Sequence, residues 1–172
     1  MPVRRAKLIN DVIEFIPILQ LFSSENYRRV YEILLDGWKT IDELKAEVGG
    51  NVEEALKILK KAGMLGSKWR MPEDPKSKPE KEYHVSFTHL SANFYCSLKD
   101  FNTVLDVIFM SDDEFEDYVD IIIEQIRAGR MSIQHISKET GLDPVFIRAV
   151  AKKSLKLNLK GQLVEIAKDE EI

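Results

Sequence analysis

Residues 40–65 restrict the possible fold most, because two short amphipathic segments lie on either side of a glycine pair. Apolar residues recur at helical spacing in both segments: Ile41, Leu44 and Val48, then Val52, Ala55, Leu56, Ile58 and Leu59. Thr40 and Glu43 match a capping box at the start of the first helix. Asn51 is placed to cap the second helix, and Gly63 to end it in a left-handed conformation. Two such helices across a tight turn predict a helix-turn-helix.

The residues after this motif predict a β-hairpin. Residues 64–71 are expected to form one strand, and residues 72–81 form a loop rich in proline and charge. Apolar and polar side chains alternate over residues 82–88, as they do in a half-buried strand. A helix-turn-helix followed by a hairpin is a winged helix. The expected fold is therefore mainly α-helical with small β-hairpin wings, in the α+β class.

This stretch resembles the winged helix-turn-helix transcriptional regulators of the ArsR type. The matching residues are Tyr-Glu-Ile-Leu-Leu from Tyr31, Thr-Ile-Asp-Glu-Leu from Thr40, Leu-Lys-Ile-Leu-Lys-Lys-Ala-Gly-Met-Leu from Leu56, and the returning Glu82-Tyr83. The resemblance covers residues 24–90, about half of the chain. It implies a non-enzymatic regulator that binds double-stranded DNA as a homodimer.

The resemblance also bears on metal sensing, because metal sensors of this family use a Cys-x-Cys pair or sets of Asp and His. The chain has one cysteine, Cys96, and no histidine after His135. A metal-independent member without a cofactor is therefore expected, and any small-molecule effector is unknown. The alternative is a zinc site formed by His84, His89 and Cys96, which are ligand types that zinc accepts.

An internal repeat relates the second half of the chain to the first. At an offset of 92 residues the matching pairs are Thr40 and Ser132, Ile41 and Ile133, Leu44 and Ile136, and Gly49 and Gly141. Asp143 and Pro144 predict the cap and first turn of another helix. Residues 155–166 alternate on both sides of a glycine, which predicts a hairpin with a very short wing. A tandem winged helix-turn-helix is therefore expected.

These patterns divide the chain into four parts. They are an N-terminal helical segment (1–23), the ArsR-like domain (24–90), a linker helix (91–110) and a second winged-helix-like domain (111–172), with a solvated tail over residues 168–171. Both the N-terminal segment, read as a helix over residues 4–22, and the linker carry apolar stripes at helical spacing. The expected dimer contacts are Leu8, Val12, Ile16, Phe94, Leu98, Phe101, Leu105 and Ile108. Alternatively, each helix covers the core of its own chain.

Composition argues against several classes of function. The net charge is −4, so no basic field covers the whole molecule. A single cysteine suits a reducing compartment, and neither a signal peptide nor a membrane-spanning stretch is recognisable. A cytoplasmic protein without a membrane partner is expected. No phosphate-binding loop or nucleophile motif is present, so an enzyme is not expected.

Basic residues mark the expected DNA contacts. In the first winged helix they accompany Asn51 at the helix start: Lys57, Lys60, Lys61, Lys68, Arg70, Lys76, Lys78 and Lys81. In the second domain they are Arg148, Lys152, Lys153, Lys156 and Lys160. The negative charges of Glu53 and Glu54 would repel DNA phosphates. Either the first domain therefore contacts DNA through its wing, or the first domain binds no DNA and the second domain makes the contact. The alternative is that these lysines only solvate exposed faces.

Two other functions fit parts of the sequence. Tandem winged helices with little net charge also serve as protein-interaction scaffolds in chromosome segregation and basal transcription. The acids at positions 53 and 54 favour that reading, whereas the basic wing and the basic run over residues 148–160 oppose it. A small-molecule sensor is the third reading, with Phe94, Phe101 and Phe115 lining a pocket, although aromatics at such spacing are usually core residues.

Overall fold

The computed structural model describes residues 3–168 and residue 172. In chain order the elements are β1 (Ala6–Ile9), a 3-10 turn (Val12–Glu14), α1 (Phe15–Ser23), α2 (Glu25–Asp36), β2 (Lys39–Thr40), α3 (Ile41–Val48), α4 (Val52–Lys61), β3 (Leu65–Arg70), β4 (Glu80–Val85), β5 (His89–Ala92), α5 (Leu98–Phe109), α6 (Asp112–Arg127), α7 (Ile133–Thr140), α8 (Pro144–Lys153), β6 (Leu157–Lys160) and β7 (Leu163–Ile166). The fold is mainly helical with small sheets, of the α+β winged-helix type, which confirms the predicted fold class. Apart from Lys168, the predicted tail lies outside the described residues.

The described chain forms two compact units. The first contains residues 3–9, residues 17–93 and Ile172, and the second contains residues 10–16 and 94–168. The chain therefore enters the second unit briefly near its start and returns to the first before the winged helix begins.

The first unit is built on the predicted helix-turn-helix and wing. Helices α2, α3 and α4 pack together, with Leu34, Leu44, Leu56 and Leu59 fully buried between them and the sheet. The sheet is antiparallel in the order β2-β4-β3, and Leu65 lies opposite Val85 while Arg70 lies opposite Glu80. This register extends the hairpin from the buried core into solvent, which makes it a wing.

Local hydrogen bonds and backbone conformation set the ends of these helices. Ser24 accepts from the Tyr27 N–H at the start of α2, and Thr40 with Glu43 completes the predicted capping box of α3. Gly63 has a φ of 68°, the left-handed conformation that ends α4. The cap predicted at Asn51 is wrong in its mechanism: this residue has a φ of 66° and its side chain makes no cap bond. Asparagine tolerates that left-handed backbone, which the tight turn requires.

Two predicted helices begin later than expected. In the segment read as a helix over residues 4–22, β1 pairs in parallel with β5, and α1 begins only at Phe15. Pro17 lies in the first turn of α1, where its missing N–H needs no helical partner. The helix predicted over residues 91–110 begins at Leu98, because Ser97 caps it there. Periodicity alone did not reveal the parallel pairing of two strands so distant in sequence.

Helix α8 lies at the centre of the second unit. It packs against α5, α6, α7, β6 and the 3-10 turn. Ile147, Ala149, Val150 and Ala151 are completely buried. Asp143 caps the helix by accepting from the Val145 N–H, as predicted. The short hairpin of β6 and β7 also forms as predicted, and Ser132 bridges to Leu163 across its edge.

Candidate nucleic-acid interface

Helix α4 has one buried face and one face open to solvent. Val52, Leu56 and Leu59 are buried, so the helix is held by the core along one side. The exposed residues of α4 are Glu53, Glu54, Lys57 and Lys60, and Lys61 is half-buried. In the described part of the chain, Lys57 and Lys60 form no ion pair. The open face is therefore acidic at its start and basic towards its end.

Both acids at the start of α4 already have partners within the first unit. Lys45 Nζ lies 3.0 Å from a carboxylate oxygen of Glu53. The Tyr27 hydroxyl donates to Glu54 over 2.6 Å. Burial and this hydrogen bond raise the pKa of Tyr27 to about 12, so the phenol stays a donor at neutral pH. These contacts offset part of the negative charge that the two acids present to an approaching anion.

The base of the wing is held by a network of charges. Arg70 donates through Nε to the buried carboxylate of Glu82 over 2.6 Å and also pairs with Glu43. Although burial alone would raise the pKa of Glu43, hydrogen bonds from Arg70 and Thr40 lower it overall. Lys68 lies 3.6 Å from Glu82. Arg70 therefore links the wing to α3 through Glu43, Lys68 pairs within the wing, and both charges are partly neutralised there.

Lys68 also takes part in an aromatic stack. Its ammonium lies 4.2 Å from the centre of the Trp38 ring, and Trp38 stacks on His84 with 5.0 Å between ring centroids. A cation over a tryptophan face is attracted by the ring quadrupole. The stack adds to the network that fixes the orientation of the wing.

The loop of the wing is exposed and has mixed charge. Lys76 and Lys78 are exposed and form no ion pair among residues 3–168 and 172, whereas Lys81 donates to the main-chain oxygen of Ile172 over 2.8 Å. Residues 72–81 contain three basic and three acidic side chains. Two apolar side chains that the sequence pattern did not mark as exposed, Trp69 and Met71, are 60% and 76% exposed.

In the second unit, helix α8 has little open surface. Pro144 is its only exposed residue, and every other position is half-buried or buried. Arg148 pairs with Asp11 over 2.7 Å and so holds the 3-10 turn against α8. A helix enclosed in this way has no free face of the size that a major groove receives.

The other basic residues of the second unit that were predicted to contact DNA have intramolecular contacts. Lys153 Nζ donates to the Val107 carbonyl over 3.0 Å and lies 4.4 Å from the Phe115 ring centre, and burial lowers its pKa. Lys156 pairs with Glu116 and Lys160 with Glu165, while Lys152 interacts electrostatically with Asp11. The ammonium of Lys153 stabilises the C-terminal end of α5 and is poorly placed to meet a phosphate.

The expected dimer residues separate into two groups. Val12 and Ile16 are buried in the core of the second unit, and Phe94 and Ile108 pack against that core, so these side chains stabilise their own chain. Leu98 is 85% exposed, Phe101 is exposed and Leu105 is half-buried along one side of α5; Leu8, in the first unit, is also exposed. Phe109, which the predicted spacing passed over, is 79% exposed. We call Leu98, Phe101, Leu105 and Phe109 the outer face of α5.

The three residues of the alternative zinc site have other surroundings. His84 stacks on Trp38, Thr88 Oγ1 lies 2.7 Å from His89 Nδ1, and Cys96 packs at the edge of the second unit's core. Across residues 3–168 and 172, no three His, Cys, Asp or Glu side chains come together as a metal-binding group. None of the helices in this part of the chain is both long and apolar enough to cross a bilayer.

Comparison with known proteins agrees with this architecture. A family model described as ArsR transcriptional regulator matches residues 9–168, which include the winged helix, the wing and all described residues of the second unit. No curated protein matches the chain.

Proposed function

Because the chain belongs to the ArsR family of transcriptional regulators, we propose that it is a regulator that binds double-stranded DNA as a homodimer through its first unit. In this proposal α4 enters the major groove, and the wing contacts the adjacent backbone. No catalytic step and no bound metal are needed, because recognition rests on charge and shape.

The difference in exposed surface between α4 and α8 is the reason for assigning DNA contact to the first unit. Four side chains of α4 are exposed along one face, whereas α8 exposes Pro144 alone. A helix has to present several side chains on one free face in order to reach base edges. This contrast supports α4 as the DNA-contacting helix, with Asn51 at its start and Lys57 and Lys60 further along.

Phosphate neutralisation supplies the affinity in this mechanism. Lys57, Lys60, Lys76 and Lys78 are exposed and without an ion pair in the described chain, so they are available to phosphates. Each phosphate contact releases counterions and makes binding weaker as salt rises. The acids Glu53 and Glu54 oppose binding less than their charge indicates, because Lys45 and Tyr27 engage them.

The outer face of α5 supports the homodimer. Its four apolar side chains run along three turns of the helix and lie opposite the buried Val104 and Val107. An apolar stripe of this length favours a self-complementary contact between two copies, in which the same helix serves both partners. Pairing through α5 would fix the separation of two DNA half-sites.

The test is fluorescence anisotropy with mixed-sequence duplex DNA at two salt concentrations. We expect salt-sensitive binding by the natural chain and at least tenfold weaker binding by the Lys57→Glu/Lys60→Glu variant. The matched control is Arg127→Glu/Lys138→Glu, which makes the same charge change at exposed positions of the second unit. Equal loss in both variants would indicate a general charge effect and would contradict the role given to α4.

A protein-interaction scaffold is the second candidate. The observation that favours it is the acidic start of the open face of α4, where Glu53 and Glu54 are exposed. If the natural chain binds no duplex DNA even at low salt, this candidate replaces the first. A pull-down with the natural chain and with a Glu53→Lys/Glu54→Lys variant would then identify a partner that depends on these acids.

A further inference from the structure

Two cations near the beginning of the first unit share one aromatic ring. The guanidinium carbon of Arg5 lies 4.3 Å from the centre of the Phe87 ring, and Lys7 Nζ lies 5.7 Å from the same centre. Lys7 belongs to β1, and Arg5 lies two positions before it in extended chain, so both side chains point to the same face. A cation is attracted to the face of an aromatic ring. Phe87 therefore gathers two positive charges at one place on the surface.

Hydrogen bonds hold Arg5 in position without neutralising it. Its N–H donates to Thr88 Oγ1 over 2.9 Å, and its carbonyl accepts from the N–H groups of Thr88 and His89 over 2.8 and 3.0 Å. Arg5 Nη1 donates to Ser86 Oγ over 2.6 Å, and the hydroxyl of that serine is neutral. Neither Arg5 nor Lys7 forms an ion pair with any residue that the structure describes. The guanidinium has five N–H donors, so the site is fixed in place and retains its charge and most of its donors for a ligand.

The same two charges lie beside the end of α4. A Cβ placed on Gly63 would lie 2.9 Å from Lys7 Nζ, so the ammonium rests against this glycine. Gly63 follows the last turn of α4, and its N–H donates to the Lys60 carbonyl over 3.0 Å. Lys57 and Lys60 are three residues apart on the open face of α4 and are therefore neighbours on its surface. Positive charge thus continues from Lys57 past the end of α4 to Lys7 and Arg5.

An extended polyanion fits this arrangement of charges. Like charges held close together repel each other, and a ligand with several negative charges relieves that repulsion. The planar donors of an arginine match two oxygens of one phosphate. A duplex presents phosphates at short regular intervals, so DNA in contact with α4 offers further phosphates nearby. Arg5 and Lys7 precede residues 9–168, so the family match does not account for this site.

We propose that Arg5 and Lys7 form a phosphate-binding site beside the end of α4, with the backbone of the bound duplex as its ligand. The proposal rests on the proposed DNA-binding function of the first unit, and it adds a third contact to those of α4 and the wing. Arg5 donates paired hydrogen bonds to one phosphate, Lys7 meets a neighbouring phosphate, and Phe87 keeps both cations in place. Contacts of this kind position a protein on DNA without reading its bases.

The experiment is fluorescence anisotropy with mixed-sequence duplex DNA across a salt series, using full-length variants. Arg5→Gln/Lys7→Gln removes both charges, and we expect about tenfold weaker binding at low salt. The slope of log affinity against log salt should become shallower by about two, since two phosphate contacts are lost, and by about one for Arg5→Gln alone. Arg5→Lys/Lys7→Arg exchanges the cations and should keep the natural slope. Arg127→Gln/Lys138→Gln, with the same loss of charge at exposed positions of the second unit, is the matched control and should also keep it.

Thermal unfolding of each variant separates a purely structural role from phosphate binding. If Arg5→Gln/Lys7→Gln melts at a lower temperature but has the natural salt slope while folded, the site is overturned. Inorganic phosphate, added at constant ionic strength, tests for a free anion as the ligand. If it raises the melting temperature of the natural chain but not of Arg5→Gln/Lys7→Gln, and the DNA slopes of the two agree, the assignment to the DNA backbone is overturned.

The Lys57→Glu/Lys60→Glu variant distinguishes failure of this site from failure of the proposed function. If that variant weakens DNA binding and Arg5→Gln/Lys7→Gln leaves the salt slope unchanged, the phosphate site is rejected while the proposed function stands. If the natural chain binds no duplex even at low salt, the proposed function fails and the site fails with it.

Discussion

Arg70 Nε lies 2.6 Å from a carboxylate oxygen of Glu82, and the Glu82 side chain is only 8% exposed. A buried carboxylate of this kind needs its partners, because its hydration has been lost. Lys68 supplies a second positive charge on the same carboxylate. The two strands of the wing are therefore joined by charged contacts as well as by backbone pairing, and Arg70 extends these contacts to Glu43 of α3.

The Glu82→Gln variant tests this network. Glutamine keeps the shape but loses the charge, so the hydrogen bond from Arg70 becomes weaker and the ion pair with Lys68 is lost. We expect the free energy of unfolding to fall by about 1–3 kcal/mol, the usual loss when a buried hydrogen-bonded group loses its match. Urea denaturation gives the value. Glu73→Gln, in the exposed loop of the wing, should change stability very little, and an equal loss there would contradict the network.

The pair of Asp11 and Arg148 gives the second unit a pH dependence. Burial alone would raise the pKa of Asp11, but the hydrogen bonds from the Ile13 N–H and Arg148 outweigh it and lower the pKa below its ordinary 3.8. A lowered folded-state pKa means that the stabilisation is present above pH 3.8 and is lost as the pH falls through the lowered value.

We therefore expect Asp11→Asn to be less stable than the natural chain at pH 7, with the difference shrinking as the pH is taken from 5 towards 2. Thermal unfolding at a series of pH values measures this difference. Asp36→Asn, at an exposed position of α2, is the control and should show a small difference at every pH. A constant deficit for Asp11→Asn across the series would rule out the linkage.

Lys153 is expected to act as a structural residue. Its ammonium donates to the carbonyls of Val107 and Ile108 near the end of α5, where a positive charge is favourable. We expect Lys153→Met to lower the stability by about 1 kcal/mol and to leave DNA affinity within twofold of the natural chain. Lys138→Met is the control for stability. A large loss of DNA affinity in a folded Lys153→Met protein would contradict the structural role and would indicate that Lys153 contacts DNA.

The outer face of α5 predicts a specific change in association. We expect Leu98→Glu and Phe109→Glu to convert a dimer into a monomer, because each would bury a charge in an apolar contact. Sedimentation velocity at several concentrations measures the change. Lys99→Glu, on the same helix but exposed and polar in the natural chain, should leave the association unchanged. A monomeric natural chain would reject the homodimer outright.

Features held by short-range contacts were predictable from the sequence. Ser24, Thr40 and Asp143 cap their helices through bonds to residues two or three positions away, so the local pattern contains the whole interaction. The winged helix followed from the same kind of information, because its core faces repeat with helical or strand period.

Features that depend on distant residues were not predictable in this way. β1 pairs with β5 more than eighty residues away, and Arg148 meets Asp11 across 137 positions. The sequence shows the positive charges of the basic run over residues 148–160 but not their partners, so the contacts of Arg148, Lys153 and Lys156 within the chain were not predictable, and the DNA-contact role of this run stays a prediction. Likewise, Val12 and Ile16 lie on an apolar stripe that predicted a dimer contact, but both side chains are buried in the core of their own unit.

The brief passage of residues 10–16 through the second unit has a consequence for how this chain can be divided. Val12, Ile13 and Ile16 belong to a core whose other members all come after residue 93. A fragment starting at residue 94 would lack three of its own core side chains, and a fragment ending at residue 93 would carry them uncovered. Cutting the gene at that apparent boundary, whether by recombination or for expression of a fragment, would separate parts of one core. The coding regions of the two units therefore have to be inherited together.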